Sequence, residues 1–169
     1  MLPAGCGERL VMTTIAWDGR TLAADKRASF GGLPRTVTKI FRIGQALVGI
    51  SGNAAEGYDM IEWVRGGRKA EDFPASQRDK DSWVSCLVIS DGELALYERA
   101  PKPIIIEDKF FACGSGRDFA MAAMHLGKSA REAVEIASLF DISTGNGVDV
   151  LEQVRVSSVG TWSVTGIRA

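Results

Sequence analysis

Three times in the first hundred residues, a run of strand-forming side chains meets a short turn and doubles back. This recurrence constrains the fold more than any other feature. TTIAWD and RTLAAD flank Asp18-Gly19, TVTKIFRI (36–43) and ALVGIS (46–51) flank Gly44-Gln45, and WVSCLVIS and ELALYERA flank Asp91-Gly92. Strand pairs with such turns are hairpins, so the sheets are expected to be mainly antiparallel. SFGGLPR (29–35) reads as a loop by its glycines and proline. KFFACG (109–114) reads as a further strand, and VDVLEQVRV and GTWSVTGI as the last strands.

Helical patterns appear in three segments, one early in the chain and two late. NAAEGYDMIEWVRGG (53–67) has Asn53 as an N-cap candidate, Glu56 three residues on, and Gly66-Gly67 as a stop. Residues 117–127 and the Ser129-x-x-Glu132 box ahead of AREAVEIASLF predict two more helices, followed by a turn at DISTGNG (141–147). Strands, helix, strands, two helices and strands make an α+β layered plan rather than an alternating one. The 169 residues suit one domain, with 13–169 as its body. Residues 1–12, with Pro3, Gly5 and Gly7, show no periodicity and read as a leader, a propeptide or a mis-assigned start.

Composition removes several function classes. A formal net charge of -1 gives no field that favours nucleic acid or an anionic membrane. No apolar run approaches the ~20 residues that span a bilayer. Cys6, Cys86 and Cys113 match neither a disulfide framework nor a zinc-ligand spacing, and a cytoplasmic location is expected. The single histidine, His125, lies in an apolar helical stretch and reads as structural. A multi-histidine metal site is impossible, and no cofactor is expected.

Two segments carry unusual polar residues. By period two, Lys39 falls on one strand face with Val37, Phe41 and Ile43. An ammonium on a buried face needs a partner and tends toward a lowered pKa, whereas Lys39 is unremarkable if it snorkels or if Ile40 marks the buried side. Asp25 is a partner candidate. A three-residue loop at 17–19 would set Ala16 opposite Arg20 and Thr13 opposite Ala23, with Asp25 on the sheet face of Thr13. A two-residue turn would reverse that face. FFACGSGRDFA runs from strand through Gly114-Ser115-Gly116 into helix. It lacks the third glycine and the Walker Lys-Ser/Thr of phosphate cradles, so it reads as a tight strand-to-helix turn.

The blocks MTTIAWDGRTLAAD, TKIFRIGQALVGISGNAAEGYDMIEW, ACGSGRDFAMAAM and FDISTGNGVDV resemble, in order and spacing, the proteasome β-type subunits and especially their bacterial HslV-like members. The resemblance covers most of residues 12–150. It implies an N-terminal-nucleophile hydrolase: a four-layer αββα sandwich with a catalytic threonine at the mature N-terminus. Carried over by position, Thr13 is the nucleophile, Asp25 and Lys39 are the acid and lysine, and Gly49 is the backbone donor to the oxyanion. Ser115 and Asp141 are the supporting serine and acid. Thr144 stands where the family has a serine.

The implied activity is a threonine-type endopeptidase subunit of a self-compartmentalising ring or stacked rings, acting on unfolded protein or peptide. An AAA+ unfoldase partner is implied by analogy with HslV. The residue types fit the chemistry: with no histidine available, a threonine hydroxyl needs another base, and a free α-amine titrates near ~8. Met12 therefore has to be removed to make Thr13 both nucleophile and base. An inactive structural or regulatory ring subunit and a small-amide hydrolase are the alternatives.

Overall fold

The computed structural model describes residues 13–78 and 83–154. Its strands are β1 (Thr14–Trp17), β2 (Thr21–Asp25), β3 (Arg27–Phe30), β4 (Leu33–Thr36), β5 (Ile40–Ile43), β6 (Ala46–Ser51), β7 (Ser85–Ser90), β8 (Glu93–Tyr97), β9 (Ile104–Ile106), β10 (Phe111–Gly114) and β11 (Val148–Glu152). Its α-helices are α1 (Ala54–Arg65), α2 (Arg117–His125) and α3 (Ala130–Phe140). One sheet has the order β10-β1-β2-β11 and a second the order β5-β6-β7-β8-β9; every pairing in both is antiparallel. The expected leader at 1–12 and the expected strand GTWSVTGI lie outside the described residues.

The layering follows from alternation along the strands. Ile15, Trp17, Leu22 and Ala24 point between the sheets, where they meet Ile40, Leu47, Leu87, Ile89 and Leu94. Ala16 and Ala23 point the other way, onto a floor of Ala120, Ala123, Ala133 and Ala137 from α2 and α3. These small side chains let the helix pair lie close on the sheet. On the second sheet, Val48, Ile50, Cys86, Val88, Ala95 and Tyr97 face Met60, Ile61, Trp63 and Val64 of α1. The result is four layers, helix pair, sheet, sheet and helix, in the αββα order expected. Among the described residues no helix is long and apolar enough to cross a membrane.

The starts of α1 and α3 carry the side-chain caps their sequences predict, though only α3 forms the capping box that the Glu56 position also predicts for α1. The Asn53 side chain accepts from the Ala55 N–H, and Ser129 with Glu132 forms a full capping box on α3. His125, on exposed α2 surface, makes an edge contact with the Phe110 ring, 5.5 Å between centroids.

Two local expectations are corrected. SFGGLPR is not a loop: β3 and β4 pair across Gly31-Gly32, both with positive φ (58° and 79°), the two-residue turn whose twist suits a hairpin. The first hairpin is also longer than either the three-residue loop or the two-residue turn allows. The strands close at Trp17–Leu22, so Ala16 faces Ala23 and the register brings Thr14, not Thr13, to Asp25. The cause is Asp18. Its Oδ1 accepts from the N–H groups of Arg20, in the turn (3.0 Å), and Thr21, at the start of β2 (2.7 Å), which caps the lengthened turn. Its Oδ2 accepts from the Ala130 N–H at 2.9 Å, which ties the turn to the start of α3.

Candidate active site

Asp25 ends β2 with its side chain buried. It is saturated with donors: the Thr14 N–H (2.8 Å) and Lys39 Nζ (2.7 Å) reach Oδ1, and the N–H groups of Arg27 and Gly145 reach Oδ2, both at 3.0 Å. These fill the acceptor capacity of a carboxylate. Lys39 comes from the segment just ahead of β5, so strand alternation does not set its direction. Its backbone is held by the Ile50 N–H, which donates to the Lys39 carbonyl at 2.9 Å. Its side chain is only 6% exposed and crosses to the opposite sheet. Burial lowers the Lys39 pKa below the ordinary lysine value, against the opposing pull of Asp25.

A second cluster meets this one at the start of β1. Thr14 Oγ1 lies 2.6 Å from Thr144 Oγ1, which donates to Asp141 Oδ2 at 2.5 Å. Ser115 Oγ also reaches Asp141 Oδ2, at 2.6 Å, and lies 3.4 Å from the Thr13 nitrogen and 3.3 Å from the Thr13 carbonyl. Asp141 is pushed up by burial. It is nonetheless held below its ordinary value of 3.8 by the Ser115 and Thr144 hydroxyls, the Ser143 N–H and the Lys39 charge. A carboxylate depressed by folding contributes stability that is fully present above that ordinary value and is lost as pH falls through the depressed one. Acid denaturation is therefore expected to be steeper below about pH 4 in the native chain than in Asp141→Asn. Parallel acid profiles in a circular-dichroism titration would remove this role for Asp141.

The GSG turn has a packing reason. Gly114 has φ +92°, and a Cβ on it would lie 1.9 Å from the Thr13 carbonyl oxygen. A Cβ on Gly116 would lie 2.1 Å from Thr14 Oγ1. Both glycines are thus small because the two threonines press against them, as in a tight turn and unlike a phosphate cradle. Gly116→Ala is expected to cost about 1–3 kcal/mol through this overlap, read as a lowered midpoint in chemical denaturation. A wild-type midpoint would show that the turn has slack.

Six of the seven residues singled out from sequence, Thr13, Asp25, Lys39, Ser115, Asp141 and Thr144, lie in this one network. Gly49 lies apart from it. It sits in β6 opposite Ile40 and Leu87, and a Cβ there would come within 3.2 Å of Ile15 Cδ1 from the other sheet. Sequence reasoning missed Thr14, Arg27 and Gly145, whose backbone N–H groups hold Asp25. Only Thr14 carried a readable signal, as the second hydroxyl of Met12-Thr13-Thr14. Burial pushes the thiols of Cys86 and Cys113 up to about 12, so neither is a thiolate at neutral pH. Beside Thr13 and Lys39 opens a cleft of about 240 Å³, walled by Phe30, Val37, Ile50 and Tyr58.

The four-layer α+β sandwich is that of the N-terminal-nucleophile hydrolases, and the hydroxyl, carboxylate and lysine network sits at one end of it. In sequence the chain is similar to proteasome β subunits, and in fold it is similar to HslV-like structures. Proteasome subunit beta 1 of Thermococcus onnurineus is 29% identical, with 85% of this chain and 89% of that relative covered. The same subunit of Thermococcus kodakarensis is also 29% identical at the same coverage. Among solved structures, HslV of Trypanosoma brucei superposes with TM-score 0.63 at 23% identity, over 82% of this chain and 98% of that one. Thiobacillus denitrificans BPH in complex with epoxomicin superposes with TM-score 0.62 at 21% identity, over 85% and 99%. No family model matches the chain.

Proposed function

We propose that the chain is a threonine-type endopeptidase subunit of a proteasome-like ring, with Thr13 as nucleophile once residues 1–12 are removed. The observation that carries this reading is the Lys39–Asp25 pair, buried at 2.7 Å where the cleft opens on Thr13. A lysine placed in the core at the mouth of a pocket has no packing rationale. Beside a terminal amine it has a chemical one: its positive charge disfavours a second one and keeps the amine neutral enough to take a proton.

In this reading the freed Thr13 amine accepts the Oγ proton, and Oγ attacks the substrate carbonyl. Water then releases the acyl-enzyme; Gly49, the oxyanion donor that the family resemblance implies, stands in β6 between Ile40 and Leu87 and does not line the cleft. Asp25 keeps Lys39 charged and aimed, while Ser115, itself held by Asp141, meets the Thr13 nitrogen. The apolar walls of the cleft suit a hydrophobic side chain next to the scissile bond. Sequestering such a site in a ring is consistent with relatives named as proteasome β subunits.

The test is an intact-mass measurement on assembled protein, paired with hydrolysis of fluorogenic peptides. The expected result is a chain beginning at Thr13 that cleaves peptides and takes up epoxomicin, the ligand of the BPH structure, as a covalent mass adduct. A peptide-cleaving particle that retains residues 1–12 on every copy would end this reading.

A further inference from the structure

Three hydroxyls and one carboxylate line up at the start of β1, and each hydroxyl has a single proton to give. Asp141 Oδ2 accepts from both sides, from Thr144 Oγ1 at 2.5 Å and Ser115 Oγ at 2.6 Å. Thr144 has thereby spent its proton, so across the 2.6 Å contact with Thr14 it can only accept. The direction of the chain follows: Thr14 donates to Thr144, Thr144 donates to Asp141, and Ser115 donates to Asp141 from the other side. Ser115 then cannot also donate to the Thr13 carbonyl at 3.3 Å, and its lone pairs are left toward the Thr13 nitrogen at 3.4 Å.

We propose that Thr14 is a positioning residue for the reaction: its hydroxyl anchors Thr144, so that the Thr144–Asp141–Ser115 chain presents a hydrogen-bond acceptor to the Thr13 nitrogen. The inference rests on the peptidase reading above. Two further observations support it. Thr14 is fully buried, at an interior strand position of the kind that apolar side chains ordinarily fill. Gly116, across from it, has no side chain where a Cβ would stand 2.1 Å from Thr14 Oγ1. The fold has left space for this hydroxyl and for little else. The Thr14 backbone serves the second cluster at the same time, since its N–H donates to Asp25 Oδ1 at 2.8 Å. One residue thus joins the lysine–acid pair to the hydroxyl chain, and substitution of its side chain leaves the Asp25 contact in place.

The experiment compares wild type, Thr14→Val and Thr14→Ser as assembled particles, with Thr13→Ala as the inactive control. Thr14→Val keeps the shape and removes the proton. Its kcat is expected to fall by about tenfold or more with KM unchanged, the pattern of an interaction used in the transition state. Thr14→Ser is expected to restore kcat to within about threefold of wild type, because it returns the hydroxyl without the methyl. A merely structural role would lower the denaturation midpoint without this split and would not distinguish the two variants by kcat. If Thr14→Val does not assemble, Thr14→Ser is compared with Thr14→Cys, which is near in size but a weak donor. Equal kcat in the hydroxyl-bearing and hydroxyl-free variants overturns the inference and leaves the peptidase reading standing. A wild-type particle without peptidase activity, or an active Thr13→Ala, overturns both.

Discussion

Thr13→Ala is expected to reduce peptide hydrolysis by about three orders of magnitude or more, since loss of a nucleophile removes the whole covalent route. Assembly should be unchanged. Thr13 precedes β1, and the strand pairing from Thr14 to Trp17 depends on backbone and on Ile15 and Trp17 rather than on the Thr13 side chain. Thr13→Ser should retain activity, because it keeps both the hydroxyl and, after processing, the amine. The measurement is a steady-state peptidase assay on particles of matched size. Normal rates in the alanine variant would place the nucleophile elsewhere, and no described cysteine or histidine is suited to take its place.

Lys39→Ala is expected to fail twice, in chemistry and in stability. It leaves the Asp25 carboxylate, whose side chain is fully buried, with backbone donors only and no counter-charge. Breaking one partner of a buried ion pair costs about 3–5 kcal/mol, because the remaining charge keeps its desolvation penalty. The denaturation midpoint should therefore drop markedly. In the peptidase reading turnover should be lost as well, since the Thr13 amine would no longer sit beside a fixed positive charge. Lys39→Met, which restores the aliphatic stem but not the charge, should fail in both ways too, because both losses follow from the missing counter-charge. An alanine variant with wild-type stability would mean that Asp25 is paired in some other way. Wild-type turnover would remove the amine-tuning role.

Much of the architecture was legible because it is local. Hairpin turns at Gly44-Gln45 and Asp91-Gly92, the Asn53 cap and the Ser129–Glu132 box depend on residues within a few positions of each other, and each appears where its sequence places it. The failures were also instructive. SFGGLPR was misread because glycine and proline mark loops and two-residue hairpins alike. The first register was misread because the Asp18 carboxylate lengthens the turn, an interaction between a side chain and the backbone that no hydrophobic pattern carries.

What the amino-acid order determined by itself was most of the succession of strands and helices, β3, β4 and β9 excepted, and the side-chain caps of α1 and α3, since these follow from near neighbours. Which hydroxyl meets which acid was decided only in three dimensions. Ser115 reaches the Thr13 nitrogen across 102 residues of chain, and Thr144 reaches Thr14 across 130. Lys39 finds Asp25 only because two sheets are stacked and the lysine lies just outside its strand, where alternation has no say. The packing of one sheet on the other, which brings groups distant in sequence within hydrogen-bond reach in a water-poor interior, is the physical step that turns a list of polar residues into a site.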